Sequence, residues 1–282
     1  MSISIEPKSI KALAIDLDGT ILTPDTVLSE RTIRALDACR KRGIQIILST
    51  GRSLESTERF RSPLCAEGPM IYLNGAIVVN MPEDKVLNAV PLSTEAAEFC
   101  VNLSREMEVY CQLYVSNNLS SGRSTLMAEK DYPERDEYAK HTKLFAELGD
   151  LKEALRRAGP KSCIKCMFVI EPEIISVLRP RLEEGLGKGV YIARTLRTFL
   201  EVMDVKASKG EGLRFIMESN SWKPEEVIAI GDEENDLPMF DVAGLSLAPA
   251  NAKDMVKAKA DMVIGSNAED GVAAFLEEFF GF

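Results

Sequence analysis

Histidine is nearly absent from this 282-residue chain: His141 is the only one. Catalysis built on a Ser-His or Cys-His pair would rest on that one imidazole, which lies far along the chain from every candidate site below. Positive charge is also short. Lys and Arg number 34 against 44 Asp and Glu, a formal net charge of −10, whereas nucleic-acid binders need clustered cations to neutralise phosphates. No nucleic-acid partner is expected, and any anionic ligand must be held by local charge. Long apolar runs are missing. No stretch approaches the ~18 residues of a membrane span, and residues 1 to 9 lack the apolar core of a secretory signal, so no membrane partner and a cytoplasmic location are expected. Cysteine pairs are scarce too. Of six scattered cysteines, only Cys163 and Cys166 have the spacing of a metal or redox motif, and no second pair completes a tetrahedral site. In a strand from Cys163 to Ile170 the two would point to opposite faces. Reduced, buried thiols are the expectation.

What is present is an ordinary globular composition, 45% apolar, in a chain long enough for two domains. The first 80 residues alternate strand and helix. Ala12 to Ile15 reads as a strand, Ser29 caps a helix that ends at Gly43, and Ile44 to Leu48 is a second strand opening into Ser49-Thr50-Gly51-Arg52. A helix follows from Ser53, and Met70 to Val79 reads as a hairpin turning at Asn74-Gly75. The last 80 residues repeat the style with strands Val227 to Ile230, Leu245 to Ala248 and Met262 to Ile264. Such alternation predicts an α/β fold, a Rossmann-like, doubly wound, mostly parallel sheet covered by helices on both faces.

Between residues 82 and 199 the texture changes. A helix from Ser93 carries Ala96, Phe99, Cys100, Leu103 and Met107 at helical spacing, while Ile164, Cys166, Phe168 and Ile170 alternate as in a sheet with one exposed face. This predicts an α+β unit, residues 82–199, inserted into a core made of residues 1–81 and 200–282, with crossings near Met81 to Lys85 and Thr198 to Ser208. Gly185, Gly187 and Gly189 follow a helix and precede a strand, the reverse of a phosphate-binding glycine loop, and read as a helix C-cap.

Four segments carry chemistry. The strand Ala12 to Ile15 breaks into Asp16-Leu17-Asp18-Gly19-Thr20, and a period of two sends Asp16 and Asp18 off the strand on the same side. Two crowded carboxylates need a cation or a shared proton, and hard oxygen ligands point to Mg2+. One Asp is then a nucleophile and the other an acid toward a leaving group. Thr50-Gly51 offers a hydroxyl beside a bare backbone at the start of a helix, suited to an anion. Ser208 and Glu211 are spaced as a capping box, which puts Lys209 in a first helical turn against the helix dipole. That placement makes sense if an anion sits there, and Lys209→Ala is expected to weaken anion binding and turnover and, if anything, to relieve the helix end. Finally, Gly231-Asp232-Glu233-Glu234-Asn235-Asp236 follows a strand, with Asp232 and Asp236 on one face and Asn235 beside them if a helix begins there.

The order double Asp, Thr-Gly, Lys, Asp-Asn-Asp resembles the haloacid dehalogenase superfamily of phosphohydrolases, and the Gly-Asp-Glu-Glu-Asn-Asp form points to its Cof-like, type IIB branch. The resemblance runs from Lys11 through Asp270-Gly271-Val272. It implies a phosphatase for small phosphomonoesters, with sugar phosphates the expected substrates and Mg2+ the cofactor. Asp16 would be the nucleophile that forms an aspartyl-phosphate, and Asp18 the acid and then the base. Mg2+ would be held by the Asp16 carboxylate, the Asp18 backbone carbonyl and Asp232, with Asp236 in support. Phosphate would be held by the Leu17 backbone, Thr50, Gly51, Lys209 and Asn235. Arg52 and Asn74 fall where the family faces its substrate, and the insert corresponds to a cap. Leu247-Ala248-Pro249-Ala250-Asn251 departs from the family, which more often has Met-Gly or Met-Ala before Asn-Ala. A phosphomutase on the same scaffold, and a non-catalytic sensor of phosphorylated metabolites, are the alternatives; the intact Asp16 and Asp18 argue against the sensor.

Overall fold

The short apolar strands line up in register, and that register decides where the polar residues after them emerge. In the computed structural model, which describes residues 6–282, Ala12–Ile15 lies at the heart of a five-stranded parallel sheet. The order is Met262–Ile264, Leu245–Pro249, Val227–Ile230, Ala12–Ile15, Gln45–Leu48. Ile15 is opposite both Ile230 and Leu48. The next residues along each strand, Asp16, Gly231 and Ser49, therefore leave the sheet at one level.

Strand periodicity sorts the core into two layers. Leu13, Ile15, Ile228, Ile230, Ile46 and Leu48 pack on one face with Leu36 and Cys39 of helix Glu30–Lys41 and with Leu276 and Phe280 of helix Gly271–Phe280. On the other face Ala12, Ala14, Val227, Ala229 and Ile47 meet Leu213, Ile216 and Met217 of helix Lys209–Asn220, and Met239 of helix Leu237–Phe240. Both faces being covered, the strands read as continuous apolar runs. The expected hairpin forms as Gly68–Tyr72 and Ile77–Met81, and Lys85–Ala89 adds a third antiparallel strand. A bridge from Ser49 to Ile71 ties this sheet to the parallel one.

The additional sheet forms a cap domain. Its order is Val190–Leu196, Phe199–Asp204, Cys163–Val169, Cys111–Val115, Thr125–Ala128, Glu147–Leu148, antiparallel except for the last pair. Helices Thr94–Met107, Leu151–Ala158 and Pro172–Leu186 cover one face. The other face turns toward the C-terminal ends of the parallel strands, where Tyr114, Ile164, Met167 and Phe199 join the core cluster.

Two expectations about this sheet are corrected. Strand Cys163–Val169 has no exposed face, being buried at every residue, and Ile164 lies on the side away from Cys166, Phe168 and Ile170. Cys163 and Cys166 do not point to opposite faces: both lie in the helix-covered cluster with Cys100 and Cys111. The cause is a register shift. Tyr114 is opposite Lys165 but Val115 is opposite Cys163, so one extra residue bulges between them and resets the alternation. All six cysteines are free.

Candidate active site

The segment after Asp16 is a tight turn, Leu17–Ile21, in which Leu22 N–H donates to the Leu17 carbonyl at 2.9 Å. Gly19 makes that turn possible: its φ is +77°, and a Cβ there would stand 2.2 Å from Asp232 Oδ2. Only glycine lets the turn press against the neighbouring strand end. Thr20 Oγ1 then donates to Asp232 Oδ1 at 2.8 Å, and Asn251 Nδ2 donates to the Gly19 carbonyl at 2.8 Å, bracing the turn from the departing Pro249-Ala250-Asn251 loop.

Asp16, Asp232 and Asp236 converge as a buried acidic triad, each offering a carboxylate oxygen within 4.8 Å of the others. Lys209 answers them. Its Nζ sits 2.6 Å from Asp16 Oδ1 and 2.6 Å from Asp236 Oδ1, and its side chain is 1% exposed. The expected capping box holds in part, with Ser208 Oγ accepting from Glu211 N–H at 3.1 Å. The lysine at the helix start is a buried cation bridging two aspartates, so the expectation that Lys209→Ala would relieve the helix end is corrected: the local dipole penalty is small beside two desolvated carboxylates. Asp236 has both oxygens committed, since Oδ2 accepts from the N–H groups of Asp232 and Glu233 at 2.9 and 3.0 Å. Asp232–Asp236 is not one helical face: Glu234–Asp236 is a 3-10 turn leading into the short helix Leu237–Phe240.

Burial governs the protonation of this cluster. It pushes Asp16 well above the usual carboxylate range; Lys209 pulls it back, while Asp236, Asp232 and Asp18 push the same way as burial. Burial and Asp236 likewise push Asp232 up to about 7, against the Thr20 hydrogen bond and Lys209. For Lys209 burial disfavours the ammonium, but Asp16 and Asp236 outweigh it and the group stays charged. Three carboxylates and one ammonium leave unbalanced negative charge in a desolvated space, the condition that a divalent cation relieves.

Asp18 is not in that triad. Its side chain is 41% exposed and makes a two-point ion pair with Arg52, Nε to Oδ2 at 2.6 Å and Nη2 to Oδ1 at 2.7 Å. A cavity of about 650 Å3 opens above, between parallel strand ends and cap sheet, within the ~300–1,000 Å3 of small-molecule sites. Asp16, Asp18, Gly51, Arg52 and Asn235 line its core side, and Tyr138, Lys165, Met167, Thr195 and Glu201 its cap side. Leu17, Thr50, Asn74, Lys209, Asp232 and Asp236 stand behind that wall, all buried. Thr50 is held by backbone bonds to Ile71 and Asn74, and its Oγ1 accepts from Arg52 N–H at 3.1 Å.

These positions match a known family. The description "haloacid dehalogenase-like hydrolase" fits residues 13–276. The chain belongs to the haloacid dehalogenase-like hydrolases. Its Cof-like placement holds, and it is an enzyme of the phosphoric monoester hydrolase kind. A pyridoxal phosphate phosphatase of Escherichia coli is 29% identical over 276 residues, covering 94% of this chain and 97% of that one. A phosphoglycolate phosphatase of Methanopyrus kandleri is 29% identical over 272 residues, covering 93% and 94%. Among solved structures, one from Thermotoga maritima superposes with a TM-score of 0.80 at 30% identity, covering 95% of this chain and 97% of that one. Haloacid dehalogenase-like hydrolases use a divalent metal, and the triad is the buried acidic cluster this chain offers one.

Sequence reasoning missed the cap's contribution. Lys165 and Glu201 form a buried ion pair at 3.0 Å in the cavity wall. The signal was a charged residue at an inward position of each apolar strand, Cys163–Val169 and Phe199–Asp204. It was obscured because the bulge at Ile164-Lys165 breaks the alternation that would have marked Lys165.

Proposed function

We propose that the protein is a Mg2+-dependent phosphatase of small phosphomonoesters, sugar phosphates foremost, working in the cytoplasm through an aspartyl-phosphate on Asp16. The observation that carries this reading is the Asp16–Lys209–Asp236 bridge beside Asp232, at the floor of the cavity between core and cap, with Asp18 on its wall. Asp16 and Asp232, with the Asp18 backbone carbonyl, would hold the cation, and Asp236, whose oxygens are already taken, supports them. When bound, Mg2+ would offset the negative charge that gathers as phosphate meets the carboxylates.

In this reading the Asp16 carboxylate attacks phosphorus, the bond to the ester oxygen breaks, and Asp18 gives that oxygen its proton. Asp18 then takes a proton from water as the water oxygen attacks phosphorus, releasing inorganic phosphate and restoring Asp16. The phosphoryl oxygens face the Leu17 backbone, Thr50, Gly51, Asn235 and Lys209, donors fixed before the reaction and so free of reorganisation cost. Arg52 adds a constraint. Both Asp18 oxygens accept from Arg52, so the pair must part before Asp18 can meet the leaving group. An arriving phosphate is a competing partner for the guanidinium. The division expected at residues 82 and 199 is proposed with its crossings moved past Lys85–Ala89 and Phe199–Asp204, because the first strand pairs with the core hairpin and the second within the cap sheet; the cap closes over the site and excludes water.

Phosphate release from sugar phosphates, nucleotides and pyridoxal phosphate, with Mg2+ and with chelator, tests the reading on wild type and Asp16→Asn. Metal-dependent release that falls at least about a hundredfold in the variant is expected for loss of a nucleophile. Release from no substrate, or a variant above a tenth of wild type, would remove it.

A further inference from the structure

The Lys165–Glu201 pair is not explained by cap stability. Both side chains are almost fully buried, 1% and 3% exposed, on neighbouring strands, and apolar residues of similar volume at such a place are commonly as stable or more so. What the pair does have is contacts outside the cap. Lys165 Nζ donates to the Gly51 carbonyl at 3.2 Å, and Glu201 Oε2 accepts from Asn74 Nδ2. Glu201 Oε1 takes Lys165 at 3.0 Å and Thr195 Oγ1 at 3.2 Å. Asn74, fully buried and held at φ +55° in the hairpin turn, passes the contact on: its Oδ1 accepts from Asn235 Nδ2 at 2.8 Å.

This chain has a direction. An ionised carboxylate only accepts, so Glu201 obliges Asn74 to present its amide nitrogen to the cap and its oxygen to Asn235. Asn235 must then give its own nitrogen to Asn74. Its Oδ1 is left buried without a donor, an arrangement a free amide would escape by turning over. We propose that Glu201 is a positioning residue of the cap that fixes, through Asn74, the side-chain amide of Asn235, so that the phosphoryl pocket is correctly set only when the cap is shut. The proposal rests on Asn235 serving that pocket as described above. It ties chemistry to closure: substrate entry that lifts the cap breaks the relay, and closure re-forms it.

Lys165 makes the idea testable. In Glu201→Gln, the glutamine has one oxygen where the glutamate met three donors, and its nitrogen can face only the Thr195 hydroxyl or Asn74. The Lys165 ammonium claims that oxygen, the amide nitrogen turns to Asn74, and the relay reverses. Adding Lys165→Met frees the oxygen for Asn74 and restores the original direction. On the best substrate of the panel, with Mg2+, Glu201→Gln is expected to lower kcat about tenfold or more with KM within twofold, since a misaligned donor forfeits part of the ~10²–10³ that a preorganised one supplies. Inorganic phosphate, titrated calorimetrically, binds it severalfold more weakly than wild type. The double variant recovers most of both losses. A merely structural pair would instead raise KM or lower the melting midpoint, and the double variant would be no better than the single.

An unchanged kcat in Glu201→Gln, or a folded double variant without recovery, overturns the relay while leaving the phosphatase intact. If the double variant does not fold, the side-chain amide NMR signals of Asn74 and Asn235 in Glu201→Gln decide. Movement of both supports reversal, and unmoved signals overturn it. A wild type that neither binds phosphate nor hydrolyses any ester removes the phosphatase reading and the relay together.

Discussion

Lys209 is the residue on which the floor of the site depends, and its weight comes from what it would leave behind. With Nζ 2.6 Å from both Asp16 and Asp236, it neutralises carboxylates that are 8% and 0% exposed. Replacement by Met keeps the length of the side chain and removes the charge, stranding two acids in a desolvated space. Breaking one partner of a buried ion pair costs about 3–5 kcal/mol, and that loss is expected for Lys209→Met in urea unfolding at neutral pH with chelator. Mg2+ should return part of it, because the cation takes over the charge. A loss below about 1 kcal/mol in chelator would mean that the acids carry protons instead, and that Lys209 does not set their charge state.

At the scale of elements, the residues that start structure were legible and the residue that interrupts it was not. Ser29, Ser53, Ser93 and Ser208 each cap a helix, accepting from the backbone N–H three residues on, because a hydroxyl at a helix entry has a local reason to be there. The strand ends that carry Asp16, Thr50 and Asp232 were legible for the same reason: an apolar run stops at polar groups. The bulge before Lys165 depends on pairing with Cys111–Val115, fifty residues away in sequence, and no local pattern announces it. Likewise Asp18 pairs with Arg52, and Glu201 with Asn74, across chain separations that periodicity does not span. The bulge also gathers Cys163 and Cys166 with Cys100 and Cys111 inside the cap, where Cys111 and Cys166 have sulfurs 3.4 Å apart. Burial pushes the thiols of Cys163 and Cys166 well up, and that of Cys39 up to about 12. Cys65 is the exposed one. A disulfide-exchange reagent at pH 8 is therefore expected to find one fast thiol in the native protein and six after denaturation, since reaction needs an accessible thiolate. Three or more fast native thiols would show that the cap cluster opens, and the buried-thiol reading would fall.

For the whole molecule, the acidic triad couples folding to pH and to metal in one direction. Asp232 rises from an ordinary 3.8 to about 7 on folding, and Asp16 also rises. Between about pH 4 and 7 the folded, metal-free protein thus holds protons that the unfolded chain has released. Stability contributed by these groups is present below about pH 4 and is lost as pH climbs toward 7, the reverse of a carboxylate held by a salt bridge. Mg2+ should replace those protons. A ligand that binds only the folded state at a hundred times its Kd adds about 2.7 kcal/mol, worth roughly 5 °C or more in a chain of this size. The melting midpoint should therefore rise with Mg2+, by more at pH 8 than at pH 6, because at pH 6 the cation must first displace protons from Asp16 and Asp232. Asp232→Asn should lose most of that rise while melting no lower than wild type in chelator at pH 8, since it removes one unbalanced charge. A Mg2+ response that is equal at the two pH values, or that survives in Asp232→Asn, would place the cation away from the triad.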